Sequence, residues 1–183
     1  MSAFVTADLH LGHSKILSFI TPDGSPLRPF SSLEEMHQKI EENWNRKVRS
    51  KDVVYVLGDV AFDKTALALM SRFNGRKVLI RGNHDTFKAR EYLEYFEDIR
   101  GAYFRNGLIF THIPVYPGCV NGGYLGNVHG HLHCHEIYTE EEKDRRYFNA
   151  CLERNNYEPV ELDKVKEYFG ILTRKQEERS DDE

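Results

Sequence analysis

The sequence predicts an α/β fold, a layered sandwich of mixed sheets flanked by helices. Three observations predict it. Short, almost wholly apolar β-rich runs alternate with helical stripes in the first half of the chain. A hairpin signal and further short strands follow in the second half. The early apolar runs also stop abruptly at glycine or polar clusters. Strands that are apolar on both faces need cover on both sides, which layered helices and sheets provide.

Ala3–Ala7 reads as a buried strand ending at Asp8, and His13–Ile20 as a short helix. Thr21–Phe30 holds Pro22, Pro26 and Pro29 and is expected to be a loop. Ser32 has the position of an N-cap, and Glu35 would complete a capping box. The helix behind it sets Leu33, Met36, Ile40, Trp44 and Val48 on one stripe. Asp52–Leu57 is the second strand, bounded by Gly58. Leu67–Phe73 reads as a helix closed by Asn74-Gly75, Lys77–Ile80 as a third strand stopped by Arg81-Gly82, and Phe87–Phe96 as a helix. Ala102–Phe104 and Leu108–Thr111 flank an Asn106-Gly107 pair, which signals a hairpin. Pro114–Gly126 is expected as a surface loop, Asn127–His133 and Tyr147–Leu152 as strands. Leu162–Leu172 is expected as a final helix with Leu162, Val165, Phe169 and Leu172 inward. Residues 173–183 are almost all charged or polar and are expected to form a disordered tail after a single domain at 1–172.

A chain of 183 residues suits one domain with a sizeable core. Its formal net charge is -4 and it carries no basic stripe, which argues against an extended nucleic-acid duplex as partner. A small phosphate ester stays open, because bound cations supply positive charge that the surface lacks. Cys119, Cys134 and Cys151 are odd in number, widely spaced and form no CxxC, which fits a reducing compartment. No secretory leader and no apolar run of membrane-spanning length is visible, so a cytoplasmic location and no membrane partner are expected.

Histidine is the unusual component, with four of nine inside Val128–His135. The strand ends carry polar clusters: Asp8-Leu9-His10, Gly58-Asp59, Gly82-Asn83-His84-Asp85, His112, and Gly130-His131-Leu132-His133. In open α/β sheets ligand sites collect beyond the strand ends, so these clusters are expected to converge. Carboxylate, imidazole and amide oxygen suit Mn, Fe, Zn, Co or Ni and require no thiolate. Alternation along a strand would turn Asp8 and His10 into one pocket, and His131 and His133 likewise. Gly58 and Gly82 sit where a side chain would hinder a tight turn.

The ordered set Asp8-x-His10, Gly58-Asp59, Gly82-Asn83-His84-Asp85, His112 and Gly130-His131-x-His133 resembles the calcineurin-like metallophosphoesterases. The opening Asp8–His13, Arg28-Pro29-Phe30 and the segment 148–162 resemble small bacterial and phage-type single-domain members. The resemblance implies an α-β-β-α sandwich with two mixed sheets and a site holding two divalent metal ions, manganese first among them. Asp8, His10 and His133 would hold the first ion, Asn83, His112 and His131 the second, and Asp59 would bridge. His84 would be catalytic, contacting the phosphate or leaving group, with Asp85 orienting it. The reaction implied is phosphate-ester hydrolysis by a metal-bound hydroxide with no covalent intermediate, with phosphodiesters favoured and small nucleotide-like substrates in view. A phosphomonoesterase, a protein phosphatase and a metal-free interaction scaffold are the alternatives. The phosphatase block G-D-x-x-D-R-G is not met, since Gly58-Asp59 continues as Val60-Ala61-Phe62-Asp63-Lys64, and a scaffold would have lost ligands that this chain keeps.

The neighbouring residues are read more plainly. His13 either approaches the substrate or starts a helix. His129 and His135 are expected to lie behind the site or on the surface, His37 to be structural, and Cys134 to point away. Arg28 and Arg81 either bind phosphate or are solvated. Tyr116, Asn121 and Tyr124, in the loop after His112, are candidates for substrate selectivity, and Glu140–Arg146 reads as a solvated turn.

Overall fold

The computed structural model describes residues 1–171 apart from Gly122 and Glu141; Leu172 and the tail 173–183 lie outside the described residues. In chain order the elements are β1 (Ala3–Thr6), α1 (Leu33–Lys47), β2 (Val53–Val56), α2 (Lys64–Ala68), β3 (Arg76–Ile80), α3 (Ala89–Tyr92), β4 (Asp98–Arg100), β5 (Tyr103–Arg105), β6 (Leu108–Phe110), β7 (Gly126–His129), β8 (Tyr138–Thr139), β9 (Glu142–Lys143), β10 (Tyr147–Asn149), β11 (Val160–Glu161) and α4 (Leu162–Tyr168). Two mixed sheets result. The first has the order β11-β1-β2-β3-β4, parallel except for β11; the second has the order β10-β7-β6-β5, parallel except for β5.

The apolar runs of β1 to β3 are continuous because both of their faces are buried. Phe4, Val54, Val56 and Leu79 turn to one side, where Met36, Ile40, Trp44 and Val48 of the α1 stripe meet them. Val5, Tyr55, Leu57 and Ile80 turn to the other, against Leu108, Phe110 and Val128 of the second sheet. Leu162 and Val165 of α4 plug the same inter-sheet layer. Trp44 is fully buried, donates its indole N–H to the Asn74 carbonyl at 2.9 Å, and meets Phe73 edge-on. The chain passes from the first sheet to the second between β4 and β5, and β5 and β6 then form the Asn106-Gly107 hairpin, where both residues take positive φ, 51° and 74°, as the turn type demands.

Several expectations shift. The Ser32 hydroxyl accepts from the Glu35 N–H at 3.1 Å, but the Glu35 carboxylate returns to Ser31 rather than Ser32, so the cap is not a reciprocal box. The helix expected at Leu67–Phe73 begins earlier, at Lys64, because Asp63 caps it from the side chain; its last turn tightens to 3-10 geometry over Leu69–Arg72. His13–Ile20 forms only a 3-10 turn, Ser14–Ser18. Phe87–Phe96 is helical only at Ala89–Tyr92, since Arg81 ties the Asp85 and Phe87 carbonyls and holds the approach as a turn. The edge strand β4 was not anticipated; its three residues Asp98-Ile99-Arg100 give too short a pattern to read. Tyr147–Leu152 is strand only to Asn149, with Leu152 opening a 3-10 turn. Asn127–His133 is strand only to His129, and the reason lies in the centre described below.

The stretch expected as a solvated turn at Glu140–Arg146 includes β9 of a small antiparallel ladder, with the Asp144 side chain buried beneath it. Asp144 accepts from the Arg146 side chain and backbone N–H and from the Thr139 hydroxyl. The Arg146 contact, against the opposing effect of burial, holds its pKa down from an ordinary 3.8 to about 2. A depressed carboxylate pKa stabilises the fold above the ordinary value and stops doing so as pH falls through the folded value. Asp144→Asn is therefore expected to be less stable than the parent at pH 6, with the gap closing between about pH 4 and about pH 2. Urea midpoints read from the fluorescence of Trp44, the single tryptophan, check this; a gap constant over that range contradicts it.

Candidate metal centre

The carboxyl ends of β1, β2, β3, β6 and β7 deliver Asp8, Asp59, Asn83, His112 and His131 to one edge of the sandwich. Two groups of donor atoms form there. Asp8, His10 and His133 make one, and Asp59, His112 and His131 the other; within each group the atoms lie within 4.8 Å of one another. Both carboxylates divide their work between two oxygens. Asp8 Oδ2 accepts the His131 N–H at 2.8 Å and the Cys151 thiol at 3.2 Å, leaving Oδ1 buried without a partner, 3.5 Å from His10 Nε2. Asp59 Oδ1 accepts the His84 N–H at 2.9 Å, leaving Oδ2 between His10 Nε2 at 3.7 Å and His112 Nε2 at 3.4 Å. His10 Nε2 is likewise buried and unpartnered. Unsatisfied buried donors and acceptors are costly and rare, and cations relieve that cost when carboxylate oxygens and imidazole nitrogens face one another across a shared space. The donor set therefore fits two divalent ions.

The histidines are turned so that Nε2 faces inward. His112 Nδ1 bonds the Leu57 carbonyl at 2.7 Å, His10 Nδ1 meets His13 Nδ1 at 3.1 Å, and His133 Nδ1 meets Glu153 Oε1 at 3.1 Å. Asn83 Oδ1 lies 2.8 Å from His112 Nε2, which brings the amide to the second group. Burial lowers the pKa of His10, and burial followed by the nearby His10 lowers that of His13 to about 4, so His13 is a neutral acceptor at pH 7. Burial works against charge on both Asp59 and His112, yet their mutual contact lowers the first and raises the second.

Alternation along a strand does not explain this arrangement. Asp8, His10, Asp59, His131 and His133 have φ of 59°, 50°, 54°, 70° and 49°, in the left-handed region. That conformation is uncommon outside glycine and costs of order 1–3 kcal/mol per residue. It ends β1 before Asp8 and β7 before His131, and it sends His131 and His133 to different groups instead of one pocket. Gly58 and Gly82 permit the close approach of two loops. A Cβ on Gly58, at φ 82°, would lie 2.6 Å from Gly82 Cα and 2.7 Å from His112 Nδ1; one on Gly82 would lie 2.7 Å from Asp59 N.

Asp85 has a different part from the one expected. Its buried carboxylate accepts from the backbone N–H groups of Asp59, Val60 and Gly82 at 2.8–2.9 Å, binding the two loops together rather than orienting the His84 ring. His84 is exposed and packs instead on Phe62, ring centroids 5.0 Å apart, with His13 stacked on Phe62 at 4.0 Å. Phe62 was not foreseen, because nothing in its sequence position distinguishes it from a core residue. Phe62 stands where the phosphatase block has its second aspartate, and Asp63, one residue later, caps α2.

The remaining histidines and arginines resolve as follows. His13 contacts His10 rather than opening an α-helix, and His37 accepts the Gly12 N–H at 3.0 Å as a structural residue. His129 is buried with Nδ1 at the Gly130 carbonyl, His135 is exposed, and Cys134 packs against the core. Neither arginine is a free phosphate binder. Arg81 spends its guanidinium on two carbonyls, and Arg28 is fully buried against the Asp8 and Leu9 carbonyls and Glu153. Tyr116 and Tyr124 of the 114–126 loop are exposed, and Asn121 also faces solvent.

Two neighbouring clusters of hard oxygen and imidazole donors have the make-up of a two-ion site in a metal-dependent hydrolase. The chain belongs to the calcineurin-like phosphoesterase family, whose model matches residues 1–176, and this carries metal-dependent phosphoester hydrolysis with it. An uncharacterised protein of Methanocaldococcus jannaschii is 34% identical over 172 residues, covering 88% of each chain. The gene 66 protein of a Mycobacterium phage is 34% identical over 92 residues, 46% of this chain and 40% of its own length. A protein of unknown function from Aquifex aeolicus shares the fold with a TM-score of 0.65 at 22% identity, over 91% of this chain and 98% of its own. Among the described residues no helix is long and apolar enough to cross a membrane.

The Asp85 carboxylate faces only donors, so Asp85→Asn sets an amide NH2 against an N–H. A lost charge-assisted bond plus an unsatisfied buried group costs about 3 kcal/mol. The expected result is an unfolding free energy lowered by that amount, with a lower urea midpoint, in the metal-free protein, read from Trp44 fluorescence. An unchanged midpoint would show that Asp85 does not bind the loops together.

Proposed function

We propose that the chain is a phosphodiesterase that works with two divalent cations, manganese foremost. Asp8, His10 and His133 hold one ion, Asn83, His112 and His131 the other, and Asp59 lies between them. The observation that carries the reading is the pair of unpartnered buried atoms, Asp8 Oδ1 and His10 Nε2, facing Asp59 Oδ2 across the space the two groups share. When bound, such a pair of cations neutralises phosphoryl charge and lowers the pKa of a coordinated water.

The chain's own residues do the rest. Asp59 is held in its bridging orientation by the His84 N–H, so the loop that presents His84 also sets the bridge. His84, exposed and backed by Phe62, faces the departing ester oxygen and donates a proton to it, a contribution of about 10²–10⁴-fold. Cys151, the thiol beside Asp8, is buried and bonded to the carboxylate, with burial raising its pKa well above the ordinary thiol value. It is neither a nucleophile nor a ligand, so the reaction needs no covalent enzyme intermediate.

Diester preference follows from charge. A monoester dianion asks for a further cationic group, and the two arginines weighed as phosphate binders, Arg28 and Arg81, are already committed to backbone carbonyls. A diester carries one negative charge and leaves that demand unmade. Small nucleotide-like diesters are the proposed substrates, acting in the cytoplasm.

With added Mn²⁺ the protein is expected to hydrolyse bis(para-nitrophenyl) phosphate faster than para-nitrophenyl phosphate, and chelation abolishes both. Asp59→Asn reduces turnover to background while circular dichroism is unchanged, and His84→Ala lowers kcat by about 10²–10⁴-fold. Full activity in Asp59→Asn contradicts the bridging role, and a faster monoester reaction contradicts the diester preference.

A further inference from the structure

Two side chains, one of them an arginine that reads from the sequence as a phosphate binder or a solvated group, meet directly behind the first group of candidate ligands. Arg28 comes from the proline-rich loop and Glu153 from the 3-10 turn Leu152–Arg154. The Arg28 side chain is completely buried; that of Glu153 is 4% exposed. Arg28 Nε lies 2.8 Å and Nη2 2.7 Å from Glu153 Oε1, and Nη1 donates to the Leu9 carbonyl at 2.8 Å. Nη2 also donates to the Asp8 carbonyl. The same Glu153 oxygen meets His133 Nδ1 at 3.1 Å.

Burying a charged pair is seldom a gain in stability, because desolvation offsets the attraction. Its direction is more informative. The fork of Arg28 grips the strained turn that carries Asp8 and His10, and its anion is aimed at the third member of that group. No carboxylate stands behind two of the other inward-turned rings: His112 meets the Leu57 carbonyl and His10 meets the His13 ring. Among the described residues, Glu153 is the carboxylate bonded to a histidine Nδ1 of the centre. A charged outer partner fixes the ring, keeps the proton on Nδ1 and makes Nε2 a stronger donor, and loss of such a partner typically costs 10–100-fold in metal affinity.

We infer that Glu153, oriented by Arg28, is a positioning residue that presents His133 through Nε2 and makes Asp8–His10–His133 the tighter of the two cation-binding groups. The inference rests on the two-cation reading above. The test titrates metal-stripped protein with Mn²⁺ and follows the free ion by electron paramagnetic resonance. The parent protein is expected to bind two ions with unequal affinity. His131→Ala weakens the second group and isolates one ion on the first. In that background Glu153→Gln weakens the remaining ion by about 10–100-fold, with an unchanged circular dichroism spectrum. Glu153→Asp, which keeps a charge for Arg28 but shortens the reach to His133, weakens it by a smaller factor. Should Glu153→Gln fail to fold, Glu153→Asp alone decides. An ion bound as tightly with either change as without it overturns the inference and leaves the two-cation reading standing. A parent protein that takes up no Mn²⁺ overturns the two-cation reading itself.

Discussion

The division of labour between the two oxygens of each carboxylate is the constraint on which the centre depends. Asp8 and Asp59 each accept at one oxygen from a backbone N–H of another loop, His131 for the first and His84 for the second. The bond fixes the carboxylate plane, and the second oxygen is left facing inward. Because the donors belong to the Gly130-His131 and Gly82–Asp85 segments, each loop that supplies a ligand also aims another loop's ligand. Neither sheet builds such a geometry alone. The first supplies both aspartates and the second supplies His112 and His131, so the packed layer between them fixes the separation of the two groups.

The arrangement is expensive locally. Five candidate ligands adopt left-handed backbone, and two of their polar atoms are buried without a protein partner. Strain of this kind persists only where the surroundings over-determine it. Asp85 supplies part of that support by collecting three N–H groups from the two loops that Gly58 and Gly82 allow to touch. Arg28 supplies another part by holding the carbonyls of Asp8 and Leu9. Apo stability and readiness to take up cations are thus opposed: the features that aim atoms at an ion are those that weaken the fold without one.

Much of this was legible in the sequence, for identifiable reasons. The double-sided apolar runs Asp52–Leu57 and Lys77–Ile80 predicted buried strands, and Asn106-Gly107 predicted a hairpin because few other pairs accept two positive φ values. The residues that meet at the centre were found because carboxylates and histidines at strand ends form an ordered set. Their backbone was not foreseen: Asp8 and His10 share one group, as strand alternation predicts, but on left-handed backbone, and His131 and His133 go to different groups. Short elements such as β4 carry too few residues for a period to show, and α3 is curtailed by side chains remote from its own pattern. Phe62 and Glu153 escape notice, and Arg28 reads as a phosphate binder or a solvated group, because their roles come from contacts across long stretches of chain, which residue type and local spacing do not record.

The thiol of Cys151 and the carboxylate of Asp8 are bonded although they lie 143 positions apart in the chain. Arg28 and the Gly58 and Asp59 carbonyls hold the same bend through contacts much nearer in sequence. Contacts of longer sequence separation carry the larger loop-closure entropy, so the Cys151 bond is the slower of these to form and closes around a bend already set.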